Sequence, residues 1–338
     1  MFDFITQGWL ALKVWLATHL ITPTFSFLQI NDASLQPDAV AEATMYALLQ
    51  IFIIAFIFRP LESLAPAERW ANREHTKIDR LYTLIMLLGL FPLFSYIVLQ
   101  PFGRLFSSED AVASGVHGLR AWVPWFDQHE YVLLFVYYVI YDCTYYWIHR
   151  MQHMIPWWWA LHSMHHSQRQ LSCWSNDRGS YLDGVIQSFI LAGVGVVMGI
   201  DIEDFALLTL LSELVQNFSH TNTTLGFGWL SRLLVDPKFH RLHHMVADHE
   251  KPGFHNVNFG QVLSLWDQVF GTSLYGEPVH PTGVADPVVD ADNSRGLVMM
   301  QWYTLKRFWG AFKRKSGWQP GDVSFGEDYA PVHDSPSH

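Results

Sequence analysis

Long apolar stretches alternate with polar segments along the chain, and the longest of them are candidates for crossing a membrane. A membrane-crossing helix needs about 20 mostly apolar residues. The stretches at residues 40–58, 81–99 and 131–148 have about that length. Two shorter stretches follow at residues 184–200 and 205–218, with an acidic turn between them. We expect this last pair to form a tilted hairpin that does not span the membrane squarely.

The N-terminal segment, residues 1–39, has a different pattern. It carries Trp9 and Trp15 among aliphatic residues, and its first basic residue is Lys13. A secretory signal normally begins with positive charge, so we exclude that interpretation. Tryptophans on an apolar face are typical of helices that lie in the membrane interface. We therefore predict an interfacial amphipathic helix rather than a further crossing.

Basic residues in the connecting segments indicate the orientation. Residues 59–80 contain five Lys or Arg side chains, whereas residues 100–130 contain two. Cytoplasmic loops are richer in Lys and Arg, which places the first loop in the cytoplasm. Following the spans from there brings the histidine-rich segments after residues 148 and 218 out on the cytoplasmic face. The membrane would be a bacterial inner membrane or the endoplasmic reticulum.

The pattern as a whole predicts an all-α, polytopic membrane protein. About four membrane helices, or two hairpins, would carry a histidine-rich helical cap on the cytoplasmic side. We divide the chain into four parts: an N-terminal interfacial segment (1–39), membrane helices and loops (40–130), a histidine-rich domain (131–275) and a cytoplasmic C-terminal tail (276–338). Within the tail, residues 297–312 are predicted to form an amphipathic helix.

Composition supports the membrane assignment and narrows the chemistry. The chain is 50% hydrophobic and 15% charged, whereas soluble domains are about 25% charged. The net charge of −10 argues against nucleic acid as a partner. Two cysteines are too few for a disulfide scaffold, a zinc ribbon or a cysteine-held iron–sulfur cluster.

Eighteen histidines are the unusual feature, and eleven of them lie between His149 and His255. Three clusters have the spacing of metal ligands, one HxxxH and two HxxHH, and a lone histidine lies between the second and the third. Residues three and four apart share a face of a helix, so each cluster presents its rings together. The nine candidate ligands are His149, His153, His162, His165, His166, His220, His240, His243 and His244.

Nine imidazoles are too many for one ion and fit two adjacent ions. Imidazole binds zinc, copper, iron and nickel alike, so the ligand type leaves the metal open. Zinc-dependent hydrolysis is one alternative, although the chain has no HExxH motif. A membrane metal-binding or transport protein is another. A transporter would carry its ligands along a path at mid-membrane, whereas these histidines gather at one face, which favours an enzyme.

Two acidic residues lie within the apolar stretches. Asp142 precedes His149 by seven residues, and Glu213 precedes His220 by the same interval. Acids inside a membrane are rare and usually functional. We expect each to support a ligand ring on another helix or to line a substrate tunnel. Arg178, beyond the second cluster, is a further candidate with its acidic neighbours Asp177 and Asp183.

The histidine pattern and its flanking residues resemble the fatty acid hydroxylase superfamily, also called the sterol desaturase family, over residues 131–272. Trp147 and Ile148 open the first cluster, and Trp159 leads into the second. Pro237 precedes the third, and Asn258-Phe259-Gly260, Leu265-Trp266-Asp267 and Phe270-Gly271-Thr272 are similar to the closing signature of the family. The second cluster and the short hairpin are also compatible with the alkylglycerol monooxygenase branch.

The resemblance implies a catalytic domain with a non-haem di-iron centre that uses O2 to hydroxylate or desaturate a lipid. The substrate would be a sterol, a fatty acyl chain or an ether lipid. The nine histidines would bind two iron ions, with zinc as a substitute. Some members have a further histidine four residues before the lone one, where this chain has Gln216. Water or Gln216 itself would fill that position.

The resemblance also implies partners. No haem-binding motif of a fused cytochrome b5 domain occurs in the sequence. Electrons would therefore come from a separate donor of the ferredoxin, rubredoxin or cytochrome b5 type, with its reductase. The lipid substrate would enter from the bilayer.

Overall fold

The computed structural model describes residues 2–30, 36–90, 118–199, 202–246 and 256–313. Within these ranges the regular structure is helical, and β-pairing is limited to isolated antiparallel bridges such as Leu234 with Leu263. The all-α prediction is confirmed.

Fourteen helices follow one another in the described ranges. They are α1 (Phe2–Leu16), α2 (Thr22–Phe27), α3 (Pro37–Ile53), α4 (Arg59–Leu64), α5 (Thr76–Ile85), α6 (Leu119–Trp122), α7 (Glu130–Met154), α8 (Pro156–His166), α9 (Tyr181–Met198), α10 (Ile202–Ser219), α11 (Pro237–His243), α12 (Leu265–Val269), α13 (Pro287–Asp290) and α14 (Leu297–Lys313). Wider π-helical turns at Ala17–Ile21, Ile54–Phe58 and Met86–Leu90 continue α1, α3 and α5.

Among the described residues, three helical stretches are long and apolar enough to cross a membrane. They are Pro37–Leu64, Glu130–Met154 and Tyr181–Met198. These stretches contain the apolar runs predicted at residues 40–58 and 131–148 and most of the run at 184–200. Large apolar side chains on the first of them, Phe52 and Phe56, are 54% and 68% exposed. Such side chains would be costly in water and are suited to contact with lipid.

The other two predicted runs are only partly described. A helical stretch from Thr76 to Leu90 covers the beginning of the run at 81–99, and the remainder lies outside the described residues. The run at 205–218 lies in α10, which forms a helix as expected.

The N-terminal helix packs antiparallel to α3. Lys13 forms an ion pair of 3.0 Å with Glu42, and the rings of Trp9 and Tyr46 lie 5.4 Å apart. The interfacial location of residues 1–39 remains a prediction.

A sharp break between α7 and α8 places the first two histidine clusters against each other. The helix ends at Met154, and Ile155 is extended, with φ −97° and ψ 120°. Pro156 begins α8 immediately afterwards. A residue before proline is sterically disfavoured from the helical region, and proline is well tolerated in the first turn of a helix. The sequence Ile155-Pro156 therefore turns the chain back on itself without a long loop.

Aromatic side chains fill the space between α7, α8 and α9. Tyr141, Tyr145, Trp158 and Leu191 form one buried apolar cluster. This cluster packs α7 against α8 next to their histidine-bearing segments, and it therefore fixes the position of the first two histidine clusters relative to each other.

The C-terminal region folds onto the histidine-rich domain rather than extending away from it. The predicted helix at 297–312 is confirmed as α14, which packs along α8. Its Met300 is fully buried against Tyr82 and Met164. Asp290, just before this helix, forms an ion pair with Arg169. The parts of the tail beyond residue 313 lie outside the described residues.

Replacing Met300 by Ala should destabilise the folded protein by about 2–4 kcal/mol, because it leaves a cavity between α5, α8 and α14. The neighbouring Met299 is 45% exposed, and its replacement by Ala is the matched control. Thermal unfolding of the two variants in one detergent should show a clearly lower midpoint for Met300→Ala only. Equal midpoints would mean that α14 does not stabilise the domain.

Candidate metal centre

Four segments bring the nine predicted histidines together. The end of α7 carries His149 and His153, and the end of α8 carries the second cluster. His220 follows α10 directly, and the third cluster lies on and just after α11. Asp236 caps α11 by accepting a hydrogen bond of 3.0 Å from the Phe239 backbone nitrogen, which fixes where that helix begins.

The nine side chains divide into two groups, and within each group the candidate ligand atoms lie within 4.8 Å of one another. The five-histidine group contains His149, His153, His162, His166 and His243. The four-histidine group contains His165, His220, His240 and His244. Every member except His165 is buried.

The two groups are adjacent. The rings of His166, from the first group, and His244, from the second, stack with centroids 4.3 Å apart. Two ions held by these groups would therefore be close neighbours, as the number of imidazoles predicts.

Within each group, Nε2 atoms point at one another. In the five-histidine group, His166 Nε2 lies 3.0 Å from His153 Nε2 and 3.1 Å from His243 Nε2. In the four-histidine group, His220 Nε2 lies 3.3 Å from His165 Nε2 and 3.1 Å from His240 Nε2. Nitrogens bound about 2.0–2.1 Å from one ion at right angles are separated by about 3 Å.

For the contact between His165 and His220, the second ring nitrogens show that it is not a hydrogen bond. His165 Nδ1 donates to the Arg178 carbonyl at 2.9 Å, and His220 Nδ1 donates to the Gln216 carbonyl at 2.7 Å. A neutral imidazole carries one N–H, so the Nε2 atoms of both rings present lone pairs. Two lone pairs 3.3 Å apart repel each other unless a cation lies between them.

Two rings of the five-histidine group are held in the same tautomer. His243 Nδ1 donates to the Val257 carbonyl at 2.7 Å, and His149 Nδ1 donates to the Phe259 carbonyl at 2.8 Å. Among the described residues, His149 Nε2 and His162 Nε2 are buried without a hydrogen-bond partner. These orphaned acceptors fit a metal ion.

Burial keeps the imidazoles outside the spans neutral. It lowers the pKa of His220 to about 4. Burial, followed by the proximity of other imidazoles, lowers the pKa of His165, His240 and His243 well below the usual value. Neutral imidazole is the form that binds metal, so these rings are in the ligand state at pH 7.

Asp183 is the carboxylate that supports a ligand ring directly. It accepts hydrogen bonds from His162 Nδ1 at 3.0 Å, Trp158 Nε1 at 2.7 Å and Gln152 Nε2 at 2.8 Å. A carboxylate behind a ligating histidine fixes its tautomer and increases its basicity. In the sequence Asp183 stood out only as an acidic neighbour of Arg178. The spacing of Trp158 and His162, one turn apart on α8, was the available signal.

Asp142 does not contact a histidine, which corrects the expected arrangement. Its carboxylate accepts hydrogen bonds from the backbone nitrogens of Val262 and Leu263 and from Trp266 Nε1. It therefore anchors the turn that follows Phe259, whose carbonyl orients His149. Asp142 and His149 are seven residues apart, so they are separated by about 10 Å along the axis of α7. The loop after residue 256 fills the space beside α7 at the level of Asp142 and supplies the donors that Asp142 binds.

The other predicted supporting residues line a cavity next to both histidine groups. This central cavity has a volume of about 320 Å³, and Arg178, Glu213 and Gln216 are in its wall. Its lining also includes His149 and His162 from the five-histidine group and three members of the four-histidine group. Glu213 accepts a hydrogen bond of 2.7 Å from Asn176 rather than from a histidine.

Arg178 contributes through its backbone as well as its side chain. Its carbonyl accepts from His165, and its fully buried guanidinium contacts Asp79 at 3.3 Å, Ser167 Oγ at 2.7 Å and Asn293 Oδ1 at 3.0 Å. These contacts tie the loop after the second cluster to α5 and to the C-terminal region. Arg178 thus positions a ligand ring without touching a metal.

The donor set fits two ions of a metal that accepts imidazole, and it leaves coordination positions free. The four-histidine group would offer its ion one protein ligand fewer than the five-histidine group, and it adjoins Gln216, one helical turn before His220.

Residues 134–272 match the model of the fatty acid hydroxylase family. This part of the chain is similar to fatty acid hydroxylase domains. The resemblance inferred from the histidine spacing is confirmed, and all nine histidines of the two groups lie within the matched residues.

The relatives that this chain matches are named for several different lipids. The chain is 27% identical to human alkylglycerol monooxygenase over 195 residues, which are 55% of this chain and 42% of the relative. It is 26% identical to an ornithine lipid hydroxylase of Rhizobium tropici over 144 residues, covering 43% of this chain and 42% of the relative. It is also 26% identical to a Delta(7)-sterol 5(6)-desaturase of Aspergillus fumigatus over 189 residues, covering 49% and 55%.

The chain spans less than half the length of the alkylglycerol monooxygenase and ornithine lipid hydroxylase that it matches. No solved structure matches it.

Replacing Asp183 by Asn should weaken metal binding by about 10–100-fold, because His162 loses the anionic acceptor behind its ring. Asp127→Asn is the control, since Asp127 is exposed and lies more than 20 residues before the first of the nine candidate ligands, His149. Metal content after dialysis against a graded series of chelator concentrations measures the effect. Metal retention equal to that of the control would show that Asp183 is not a support of the site.

Proposed function

We propose that this protein is a membrane-bound, O2-dependent, non-haem di-iron oxygenase that hydroxylates or desaturates a C–H bond of a lipid. The observation that carries the proposal is the division of nine imidazoles, eight of them buried, into two adjacent groups whose Nε2 atoms converge. The fatty acid hydroxylase domain and the lipid-modifying relatives support the same chemistry.

The two ions would be held by the five-histidine and four-histidine groups. When bound and reduced, two iron ions supply the activation of O2 and the oxidation of an unactivated C–H bond. Zinc fits the same nitrogens and would give a redox-inert substitute.

The protein supplies ligand orientation and a site shielded from bulk water. Backbone carbonyls hold four of the rings through Nδ1, and Asp183 holds His162. Rings fixed in this way keep their Nε2 atoms directed at the metal during turnover. Burial of the histidines limits access by bulk water to the side of the central cavity.

The central cavity is the place where the reacting carbon would lie. Its volume of about 320 Å³ accommodates a segment of a lipid rather than a whole molecule. The remainder of the lipid would stay in the bilayer beside the exposed apolar faces of the spanning helices. Entry of the substrate from the membrane avoids the cost of exposing its chain to water.

The electron donor would be a separate protein of the ferredoxin, rubredoxin or cytochrome b5 type. The bias of basic residues in the loops favours a cytoplasmic histidine face, where such donors would be available. A transporter that uses the same histidines is the competing function. The concentration of the ligands at one end of α7 and α8, with no path of ligands along a span in the described residues, favours the oxygenase.

Replacing one histidine in either group by Ala should abolish lipid oxidation while the protein stays in the membrane. The variants are His149, His162, His165, His240 and His243, each to Ala. Loss of one ligand changes the geometry and the potential of an ion that works together with its neighbour. His19→Ala, on the exposed N-terminal helix, is the control.

Two measurements separate the oxygenase from its alternatives. The purified protein should contain about two irons and consume O2 only with a reductant and lipid, and cells that express it should gain an oxidised lipid. More than half of the wild-type activity in several histidine variants would refute the di-metal site. Metal uptake by vesicles without O2 consumption would identify a transporter instead.

A further inference from the structure

The wall of the central cavity away from the histidines carries polar atoms that have no partner. Among the described residues, the buried atoms Asp177 Oδ2, Gln216 Nε2, Ser180 Oγ and Tyr181 Oη make no hydrogen bond, and all four residues line this cavity. Gln216 is 3% exposed and Ser180 is 4% exposed. An unpaired buried polar group is destabilising, so the wall is suited to a ligand that supplies the missing partners.

Two carboxyl groups lie in this wall without a free cation beside them. Glu213 accepts one hydrogen bond, from Asn176, and its carboxyl is near enough to that of Asp177 for the two to influence each other electrostatically. The guanidinium of Arg178 is already engaged by Asp79, Ser167 and Asn293. Burial raises the pKa of Asp177 to about 6. The pair therefore needs hydrogen-bond donors and disfavours another anion.

Gln216 requires a hydrogen-bond acceptor from the ligand, whereas the carboxyl oxygens require a donor. Its side-chain nitrogen is a donor, and it stands one helical turn before His220, so it lies where the cavity meets the four-histidine group. A hydroxyl group both donates and accepts, and can satisfy a carboxylate and an amide N–H together. An ammonium group can only donate, and a hydrocarbon chain satisfies neither.

We propose that this wall, formed by Asp177, Glu213, Gln216, Ser180 and Tyr181, binds a hydroxyl-bearing polar group of the lipid substrate. The proposal rests on the proposed oxygenase function and names the class of lipid that it selects. A hydroxyl of the substrate donates to Asp177 Oδ2 and accepts from Gln216 Nε2. A lipid that presents only hydrocarbon to this wall leaves the same atoms unpaired and is rejected for that reason.

Binding to the zinc-loaded full chain tests the proposal without turnover. The probes are three lipids with the same alkyl chain: hexadecylglycerol ether with two hydroxyls, hexadecyl methyl ether with none, and hexadecylammonium with a cationic donor. Dissociation constants are measured in detergent micelles by competition against a fluorescent alkyl probe. The wild-type protein should bind the glycerol ether at least about tenfold more tightly than either of the other two lipids.

Gln216→Leu and Asp177→Asn should each weaken binding of the glycerol ether by about tenfold and leave binding of the methyl ether unchanged. Glu213→Gln, which keeps the shape of the side chain, should weaken it to a smaller extent. Asp127→Asn, outside the cavity, is the control. Zinc content and the thermal unfolding midpoint identify any of the three wall variants that fails to fold. The preference for the glycerol ether over the methyl ether is then measured in the wall variants that do fold.

Equal affinity of the wild-type protein for the three lipids would overturn the proposal and would mean that bound water satisfies the wall. Tightest binding of the ammonium lipid would overturn it in favour of a cationic headgroup. Unchanged selectivity in the folded wall variants would also overturn it. Because zinc replaces iron, these results do not depend on O2 chemistry. A protein that prefers the glycerol ether but lacks iron-dependent O2 consumption would instead refute the proposed oxygenase function.

Discussion

The fold around the candidate metal centre depends on two places, one in each histidine group, where the lone pairs of imidazole nitrogens face one another. His165 and His220 illustrate it: each donates its only N–H to a backbone carbonyl, and their bare Nε2 atoms face each other at 3.3 Å. Without a cation this arrangement would be repulsive and poorly solvated. Burial, which depresses the pKa of His220 to about 4, prevents relief by protonation at neutral pH. The geometry is therefore that of a metal site, and binding of metal should contribute to folding.

Much of the surrounding fold maintains this convergence. The loop after residue 256 supplies carbonyls to His149 and His243, and Asp142 anchors that loop to α7. The loop after the second cluster supplies a carbonyl to His165, and the buried guanidinium of Arg178 ties it to α5. Backbone acceptors are less basic than a carboxylate. The single carboxylate behind a ligand ring in the described structure, Asp183, therefore makes His162 electronically distinct from its neighbours.

The central cavity links this centre to substrate choice. Its metal side is lined by imidazoles of both groups, and its other side presents carboxylate, amide and hydroxyl groups. A wholly apolar cavity would suit the middle of an acyl chain, whereas this wall favours a lipid with hydrogen-bonding groups near the reacting carbon. The relatives are named for an alkylglycerol, an ornithine lipid and a sterol.

Local patterns in the sequence predicted the all-α class, two of the three candidate spans and all nine candidate ligands. Helical spacing alone makes the rings of HxxxH and HxxHH share a face, and about 20 apolar residues in a row suffice to identify a span. Only the tertiary structure decided how the nine ligands divide into groups of five and four, because His165 and His166 are sequence neighbours that point to different groups. It also decided that Asp183 rather than Asp142 supports a ligand ring, since contacts between distant segments depend on packing and leave no periodic signal in the chain.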